Sequence, residues 1–248
     1  MQIDLSGKSF IVTGASSGIG AATATMLARG GADVLAVSRR VDPAQFSGLG
    51  TVRTVRADLA DAASVSTIID AAVDGGRGID GIVNAGGHFS HAALGDATAE
   101  ELDELWRVHL RTPYLLTQAA LPHLTVGSSL VFVSSTVARV GFAPYAAYTA
   151  VKGAVDAMAR SLAMELAPKT RVNTIMPGFM ATPMMDVQYE VVDGLEDAIV
   201  ARTPLAHIAG PERIATVIAL LLSDESSYTT ASTVVVDGGW SGQGWQSP

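Results

Sequence analysis

Short, strongly apolar runs alternate along the chain with longer stretches whose apolar residues recur at helical spacing. The short runs are rich in β-branched residues and apolar at successive positions, as in strands covered on both faces; they are residues 10–13, 34–38, 51–55, 81–83, 130–134, 172–176 and 233–236. The helical stretches are residues 19–29, 64–73, 99–121, 146–167 and 212–222. This alternation predicts an α/β fold, a doubly wound, seven-stranded parallel sheet with helices on both faces.

No linker, repeat or low-complexity tract divides the sequence, so we expect residues 1–248 to form a single domain. Residues 180–208 depart from the regular alternation, because they contain Pro183, Gly194 and Pro204 and show weak periodicity. A long irregular segment between a strand and a helix favours a loop that covers a binding site. Two short surface helices are the alternative.

A glycine-rich segment lies between the first predicted strand and the first predicted helix. Its sequence is Thr13-Gly14-Ala15-Ser16-Ser17-Gly18-Ile19-Gly20. Glycines permit a tight turn there and let backbone N–H groups approach an anion at the positive end of the helix. The position in a strand–turn–helix unit predicts a Rossmann-type dinucleotide site, with contacts from Gly14, Ser16, Ser17, Gly18, Ile19 and Gly20.

The end of the second predicted strand bears on which dinucleotide binds. An NAD site normally has an acid there, which accepts a hydrogen bond from the ribose 2′-OH. This sequence instead has Ser38, Arg39 and Arg40, a hydroxyl and two guanidinium groups that can bind a 2′-phosphate. NADP(H) is therefore favoured, while NAD(H) stays open because Asp42 can partly cancel the positive charge.

Further positions along the same edge of the sheet suit the rest of a dinucleotide. Asp58 follows the third predicted strand and could hydrogen-bond the adenine amino group. Asn84, Ala85 and Gly86 end the fourth, where small residues let a cofactor lie against the backbone.

A candidate proton-transfer pair lies on the helix predicted over 146–167. Tyr148 and Lys152 are four residues apart, so their side chains share one helix face. A nearby ammonium favours the phenolate, so we expect Lys152 to lower the pKa of Tyr148. Ser135, at the end of the fifth predicted strand, supplies a hydroxyl that can bind a developing alkoxide.

Together these motifs resemble the short-chain dehydrogenase/reductase family, and in particular its β-ketoacyl-carrier-protein-reductase-like members. The resemblance covers nearly the whole chain and rests on residues 13–20, Asp58-Leu59, Asn84-Ala85-Gly86, Ser134-Ser135, Tyr148 with Lys152, Arg171-Val172-Asn173, Pro177-Gly178, Thr203-Pro204-Leu205, Pro211-Glu212 and Asp237-Gly238-Gly239.

The resemblance implies a role for each matching residue. Tyr148 would exchange a proton with the substrate oxygen, Lys152 would assist it and bind the nicotinamide ribose, and Ser135 would hold that oxygen. Asp58 and Leu59 would contact the adenine half of the cofactor. The nicotinamide half would contact Pro177, Gly178 and Thr182, and residues 180–208 would cover the substrate.

The activity implied is that of an NADP(H)-dependent oxidoreductase, an alcohol dehydrogenase or carbonyl reductase that interconverts a ketone and a secondary alcohol. Methionines at 176, 180, 184 and 185 suggest an adaptable cover over a medium-sized apolar substrate. His109 stands where the family has an Asn that positions a relay water; it either replaces that residue in catalysis or is a tolerated substitution. A cofactor-binding regulatory or scaffold protein with weak catalysis is therefore the alternative.

Composition narrows the partners. The 248 residues carry a formal net charge of −8, which argues against nucleic-acid binding, and no apolar run reaches the ~18 residues of a membrane span. With no cysteine there are no disulfides, and His88 with His91 lacks a third metal ligand, so we expect no metal. The lack of a signal-peptide pattern favours the cytoplasm. Apolar residues on more than one face of helix 146–167 predict a homo-oligomer, a tetramer or dimer.

Overall fold

In the computed structural model, which describes residues 3–49, 51–90 and 92–242, parallel strands form one central sheet. The strands are β1 Ser9–Thr13, β2 Asp33–Val37, β3 Val52–Val55, β4 Ile79–Asn84, β5 Leu124–Val133, β6 Thr170–Pro177 and β7 Thr233–Val236. They pair in the order β3-β2-β1-β4-β5-β6-β7. The predicted seven-stranded parallel sheet is confirmed.

Helices cover both faces of this sheet, as predicted. They are α1 Gly18–Arg29, α2 Ser64–Val73, α3 Ala99–Trp106, α4 Thr112–Ala120, α5 Ala146–Leu166, α6 Pro183–Val191, α7 Leu195–Arg202 and α8 Glu212–Leu222. Successive strand residues face opposite sides: Phe10 and Val12 pack in one core with residues of α1 and α8, while Ile11 packs in the other with residues of α2 and α5. Both faces of β1 are therefore buried, which explains its uninterrupted apolar run, whereas the edge strands β3 and β7 are only half-buried.

The strand order reverses beside β1, and this reversal positions the site. β1 pairs with β2 on one side and with β4 on the other, so the connections from β1 and β4 leave the sheet in opposite directions. Thr13 and Asn84, the last residues of β1 and β4, are register partners. In doubly wound sheets a ligand crevice opens at this point, beyond the carboxyl ends of the strands.

The helix predicted over 99–121 is present from Ala99 to Ala120, but it changes type in its middle. Residues Arg107–Arg111 form a wider π-helical turn between α3 and α4, with the Thr112 N–H bonded to the carbonyl of Arg107. Pro113 supplies a reason, since it has no N–H to donate to the carbonyl of His109 four residues earlier. The turn places His109 in the interior, with 4% of its surface exposed.

The segment 180–208 contains regular structure that the loop interpretation did not include. α6 and α7 lie within it, so the alternative of two short helices describes its secondary structure correctly. Among the helices of the described ranges, none is long and apolar enough to cross a membrane.

Candidate active site

The first of two adjoining clefts lies beyond the carboxyl ends of β1, β2 and β4. The predicted cofactor residues that line it are Gly14, Ser16, Ser17, Gly18, Ile19, Gly20, Ser38, Arg39, Arg40, Asp58, Leu59, Ala85, Gly86 and Thr182. They come from five separate segments of the sequence, which the fold brings together around the switch point.

Backbone geometry makes the glycine loop a close-fitting cradle. Gly14 has φ of +71°, and a side chain there would place its Cβ 2.7 Å from the Cα of Gly86. Ser17, the residue that precedes α1, caps no backbone N–H with its side chain. The first-turn N–H groups of α1 therefore stay available to an anion, as phosphate binding requires.

Asn84 supports the same assignment from a buried position. It is 6% exposed, and neither the oxygen nor the nitrogen of its side-chain amide has a hydrogen-bond partner among the described residues. An unpartnered buried amide is costly, so a group bound at the end of β4 would relieve it. With the glycine cradle, this orphaned amide fits a dinucleotide.

The far end of this cleft is polar and basic. The Ser38 hydroxyl donates to the Ser16 hydroxyl at 2.9 Å. Arg39 and Arg40 are exposed, and neither forms an ion pair within the part of the chain that is described. The Asp42 carboxylate accepts the Ala44 N–H at 2.9 Å, so it caps a short helical turn and does not pair with an arginine.

The second cleft, of about 320 Å³, continues from the first and is largely apolar. The two clefts are parts of one crevice, because five residues line both of them: Ile19, Ala85, Gly87, Thr182 and Met184. The second cleft receives the residues predicted for chemistry and for the nicotinamide, namely Ser135, Tyr148, Lys152, His109, Pro177 and Gly178.

Tyr148 and Lys152 lie together on the buried face of α5, at 8% and 6% exposure. The Lys152 Nζ is 5.5 Å from the centroid of the Tyr148 ring and donates to the Val133 carbonyl at 3.0 Å. Ser134 donates from its hydroxyl to the Lys152 carbonyl at 2.8 Å, so β5 and α5 are tied together beside Ser135. Tyr148 and Lys152 on the helix and Ser135 at the strand end thus line the same cleft, as predicted.

Burial sets the protonation of this pair, and the expected lowering of the Tyr148 pKa is wrong as a net shift. Burial raises the pKa of the Tyr148 phenol above its ordinary value. Burial also lowers the pKa of the Lys152 ammonium to about 8. At neutral pH the phenol is therefore a neutral proton donor, beside an ammonium that holds its proton weakly.

His109 contacts both this pair and the loop that follows β4. Its ring meets the Tyr148 ring edge-on, with centroids 5.8 Å apart. Its Nε2 lies 3.0 Å from the carbonyl oxygen of His88 and 3.4 Å from the His88 backbone nitrogen, and in the shorter contact Nε2–H donates to the carbonyl. A Cβ on Gly87 would come within 2.4 Å of the imidazole, so the ring packs directly on that backbone. Burial, followed by the charge of Lys152, lowers the pKa of His109 well below its usual value.

Several residues of the second cleft were missed by the sequence analysis. Outside the predicted cover they are Phe142, Tyr145 and Phe179, whereas Gln188, Val192 and Leu195 belong to the predicted segment 180–208 but were not named individually. Tyr145 had a usable signal, because it precedes Tyr148 by one helical turn. The others lie in segments without regular spacing relative to any motif.

Four further apolar side chains and one histidine also line the two clefts. Phe89, Met180, Met184 and Met185 line the second cleft, whereas His88 lines the first. Met176 belongs to β6 and is 1% exposed, so its assignment to the cover is wrong.

Trp240 packs behind the cleft, against Phe142 and Phe179. Of the two histidines considered as metal ligands, His91 lies outside the described residues. Across the residues that are described, no three or more His, Asp or Glu side chains are grouped to hold a metal ion.

Comparison with known proteins agrees with this geometry. The model of a family described as enoyl-(acyl carrier protein) reductase matches residues 14–241. An NADP-dependent (R)-specific alcohol dehydrogenase of Lentilactobacillus kefiri is 33% identical, over 96% of this chain and 98% of its own length. The 3-oxoacyl-(acyl-carrier-protein) reductase FabG of Thermotoga maritima is 34% identical, over 95% and 98%.

Solved structures agree as well. A short-chain dehydrogenase from Burkholderia cenocepacia, crystallised in complex with NADP, superposes with a TM-score of 0.88 at 30% identity, over 95% of this chain and 98% of that one. A short-chain dehydrogenase/reductase from Brucella melitensis superposes with a TM-score of 0.90 at 31% identity, over 97% and 99%. Since sequence, fold and site agree over nearly its full length, this chain belongs to the short-chain dehydrogenase/reductase family of oxidoreductases.

Proposed function

We propose that the protein is an NADP(H)-dependent oxidoreductase that interconverts a ketone and a secondary alcohol. The observation that carries the proposal is the neutral phenol of Tyr148, buried beside the Lys152 ammonium in an apolar cleft that continues into the glycine cradle. A carbonyl oxygen gains negative charge as its carbon is reduced, and these groups supply a proton and positive charge at that point.

In ketone reduction, NADPH supplies the hydride when bound. Ser135 holds the carbonyl oxygen through its hydroxyl, and Tyr148 delivers its phenolic proton to that oxygen. The positive charge of Lys152 stabilises the tyrosinate that results, and its Nζ–H can bind the ribose hydroxyls. In alcohol oxidation the proton moves in the opposite direction, onto the Tyr148 oxygen.

Residues 180–208 form the substrate cover in this proposal. α6 and α7 contribute Met184, Met185, Gln188, Val192 and Leu195 to the wall of the cleft. Excluding water there strengthens the interaction between the Lys152 charge and the substrate oxygen.

The phenolic proton gives the most direct test of the proposed activity. Tyr148→Phe keeps the ring but removes the acid, so we expect kcat for ketone reduction to fall by about 10²–10⁴-fold. The dissociation constant of NADPH, measured by fluorescence titration, should change little.

Tyr145→Phe is the matched variant, because it removes a hydroxyl from the same cleft without touching the proposed acid. It should retain far more turnover than Tyr148→Phe. Equal turnover in the two variants would contradict the role of Tyr148, and NADPH binding without turnover of any ketone by the native protein would favour the scaffold alternative.

We infer a preference for NADP(H) from the cleft end formed by Ser38, Arg39 and Arg40. Ser38 is half-buried beside Ser16, while both guanidinium groups reach the cleft from exposed positions. A 2′-phosphate could accept from the hydroxyls and pair with the arginines. The NADP complex of the Burkholderia protein and the NADP dependence of the Lentilactobacillus enzyme support this preference.

Ser38→Asp should reverse that preference. A carboxylate beside a 2′-phosphate costs several kcal/mol, so the ratio of kcat/KM for NADPH over NADH should fall on the order of 100-fold. Ser161→Asp places the same charge on an exposed position of α5 and should leave the ratio unchanged. An unaltered ratio in Ser38→Asp would contradict the assignment.

We also propose that His109 serves the reaction as a neutral hydrogen-bonding residue. Its Nε2–H contact with the His88 carbonyl and its packing on Gly87 join the π-helical turn to loop 86–89. Phe89 at the end of that loop lies 4.7 Å from Tyr148, ring centroid to ring centroid. The imidazole therefore helps to orient the phenol without itself carrying charge.

His109→Asn keeps a hydrogen-bonding side chain, whereas His109→Leu does not. We expect kcat in the Leu variant to fall by about 10- to 100-fold, since a buried carbonyl loses its donor, and to fall less in the Asn variant. The pH profile of kcat distinguishes a neutral hydrogen-bonding role from a proton-relay role. If the native profile shows an apparent pKa between about 5 and 7 and His109→Asn removes it, His109 titrates and acts as a relay.

Exposed apolar side chains support the inference of a homo-oligomer. Val151, Val155 and Leu162 of α5 are buried within the chain, but Met164 is 64% exposed and Trp106 of α3 is 55% exposed. These residues suit burial between subunits. Sedimentation velocity would contradict the inference if it gave the 25.5 kDa of one chain.

A further inference from the structure

The wall of the second cleft that adjoins Tyr148 is built from aromatic rings. Phe89 lies 4.7 Å from both Tyr148 and Tyr145, centroid to centroid. Tyr145 stacks on Phe142 at 5.1 Å with 17° between the ring planes, and Phe142 meets Phe179 at 5.9 Å. The rings thus form a continuous surface that begins at the proposed proton donor.

A second layer makes this surface rigid. Trp240, 3% exposed, packs edge-on against Phe142 at 5.9 Å and against Phe179 at 5.2 Å. The Arg202 guanidinium lies 4.4 Å from the Trp240 ring centroid, so a cation–π contact joins α7 to the turn after β7. A substituent on the substrate carbonyl therefore meets fixed rings on this side.

The cover contributes a more adaptable part of the wall. Met184, Met185, Val192 and Leu195 line the cleft there, together with the buried amide side chain of Gln188. Unbranched methionines accept varied shapes, so this wall constrains a substituent less than the rings do.

Charge limits the substrate in a different way. Of the described residues that line this cleft, Lys152 alone carries a full charge. The outer surface of the cover is acidic: residues 183–202 include five exposed carboxylates, Asp186, Glu190, Asp193, Glu196 and Asp197. Within residues 183–202 the one cationic side chain is that of Arg202, which stacks on Trp240. An anionic carrier that approached over the cover would be repelled.

We propose that the substrate is a free, uncharged aryl ketone, whose ring packs on the aromatic wall while its smaller substituent faces the methionines. The proposal rests on the ketone reductase activity proposed above. This assignment excludes an acyl chain tethered through an anionic phosphopantetheine group. The matching family and one relative are nevertheless named as acyl-carrier-protein reductases.

Two ketones of nearly equal size test the aromatic part, 1-phenylethanone and 1-cyclohexylethanone, with NADPH saturating. Intrinsic reactivity differs between them, so the informative quantity is the change in their kcat/KM ratio between variants. Phe142→Leu removes a ring from the wall and should lower the phenyl-to-cyclohexyl ratio by about 2- to 10-fold. Met184→Leu alters the aliphatic wall and should leave the ratio unchanged.

Binding provides a readout that needs no turnover. Benzamide and cyclohexanecarboxamide imitate the two ketones but are not reduced, and their dissociation constants for the NADPH complex can be measured by calorimetry. Benzamide should bind more tightly to the native protein, and Phe142→Leu should shrink its advantage. If both compounds bind equally, or if Phe142→Leu leaves the advantage intact, the aromatic proposal is wrong.

Thioester substrates test whether an anionic carrier group is disfavoured. The same 3-oxoacyl group on neutral N-acetylcysteamine should have a higher kcat/KM than on coenzyme A, and added salt should narrow the gap. Faster turnover of the coenzyme A ester, or of an amine-bearing aryl ketone over its neutral parent, would overturn the uncharged assignment. No turnover of any ketone or thioester would instead contradict the proposed activity, leaving the amide measurement to decide the ring preference.

Discussion

The burial of a phenol and an ammonium in one apolar cleft is the constraint on which the chemistry of this protein depends. Burial opposes the charged form of each group, so it raises the pKa of Tyr148 and lowers that of Lys152 to about 8. In water a tyrosine phenol has a pKa of about 10 and a lysine ammonium a pKa of about 10.4. In the cleft the proton of Tyr148 is held where a substrate oxygen can receive it, beside the positive charge of Lys152.

The rest of the fold brings this pair to the cofactor. The strand reversal at β1 opens a crevice, the glycine turn places the amino end of α1 at one part of it, and α5 presents Tyr148 and Lys152 at the other. Arg171 stabilises the far side of the sheet, since its guanidinium donates to the carbonyls of Leu221 and Ser223 at the end of α8. At the carboxyl edge the buried amide of Asn84 has no hydrogen-bond partner among the described residues.

Much of this arrangement could be predicted from the sequence, because it depends on local patterns. Apolar runs specify buried parallel strands, the glycine segment specifies its turn, and the spacing of Tyr148 and Lys152 specifies one helix face. The π-helical turn was not predicted, although Pro113 is visible in the sequence, because a proline within a helix can also simply kink it. The aromatic wall could not be predicted from the sequence. Its rings come into contact only through tertiary packing; they include Phe89, Phe142, Phe179 and Trp240. The direction of the Tyr148 pKa also required the structure, because burial outweighs the neighbouring charge.

The pH dependence of ketone reduction tests the buried pair most directly. At saturating NADPH, kcat/KM for the ketone should be level at lower pH and fall as pH rises through about 8, where Lys152 loses its proton while Tyr148 keeps its own. In Lys152→Arg, whose guanidinium stays protonated, the fall near that pH should disappear. A native profile that stays level to pH 10, or a fall near 8 that persists in Lys152→Arg, would contradict the account.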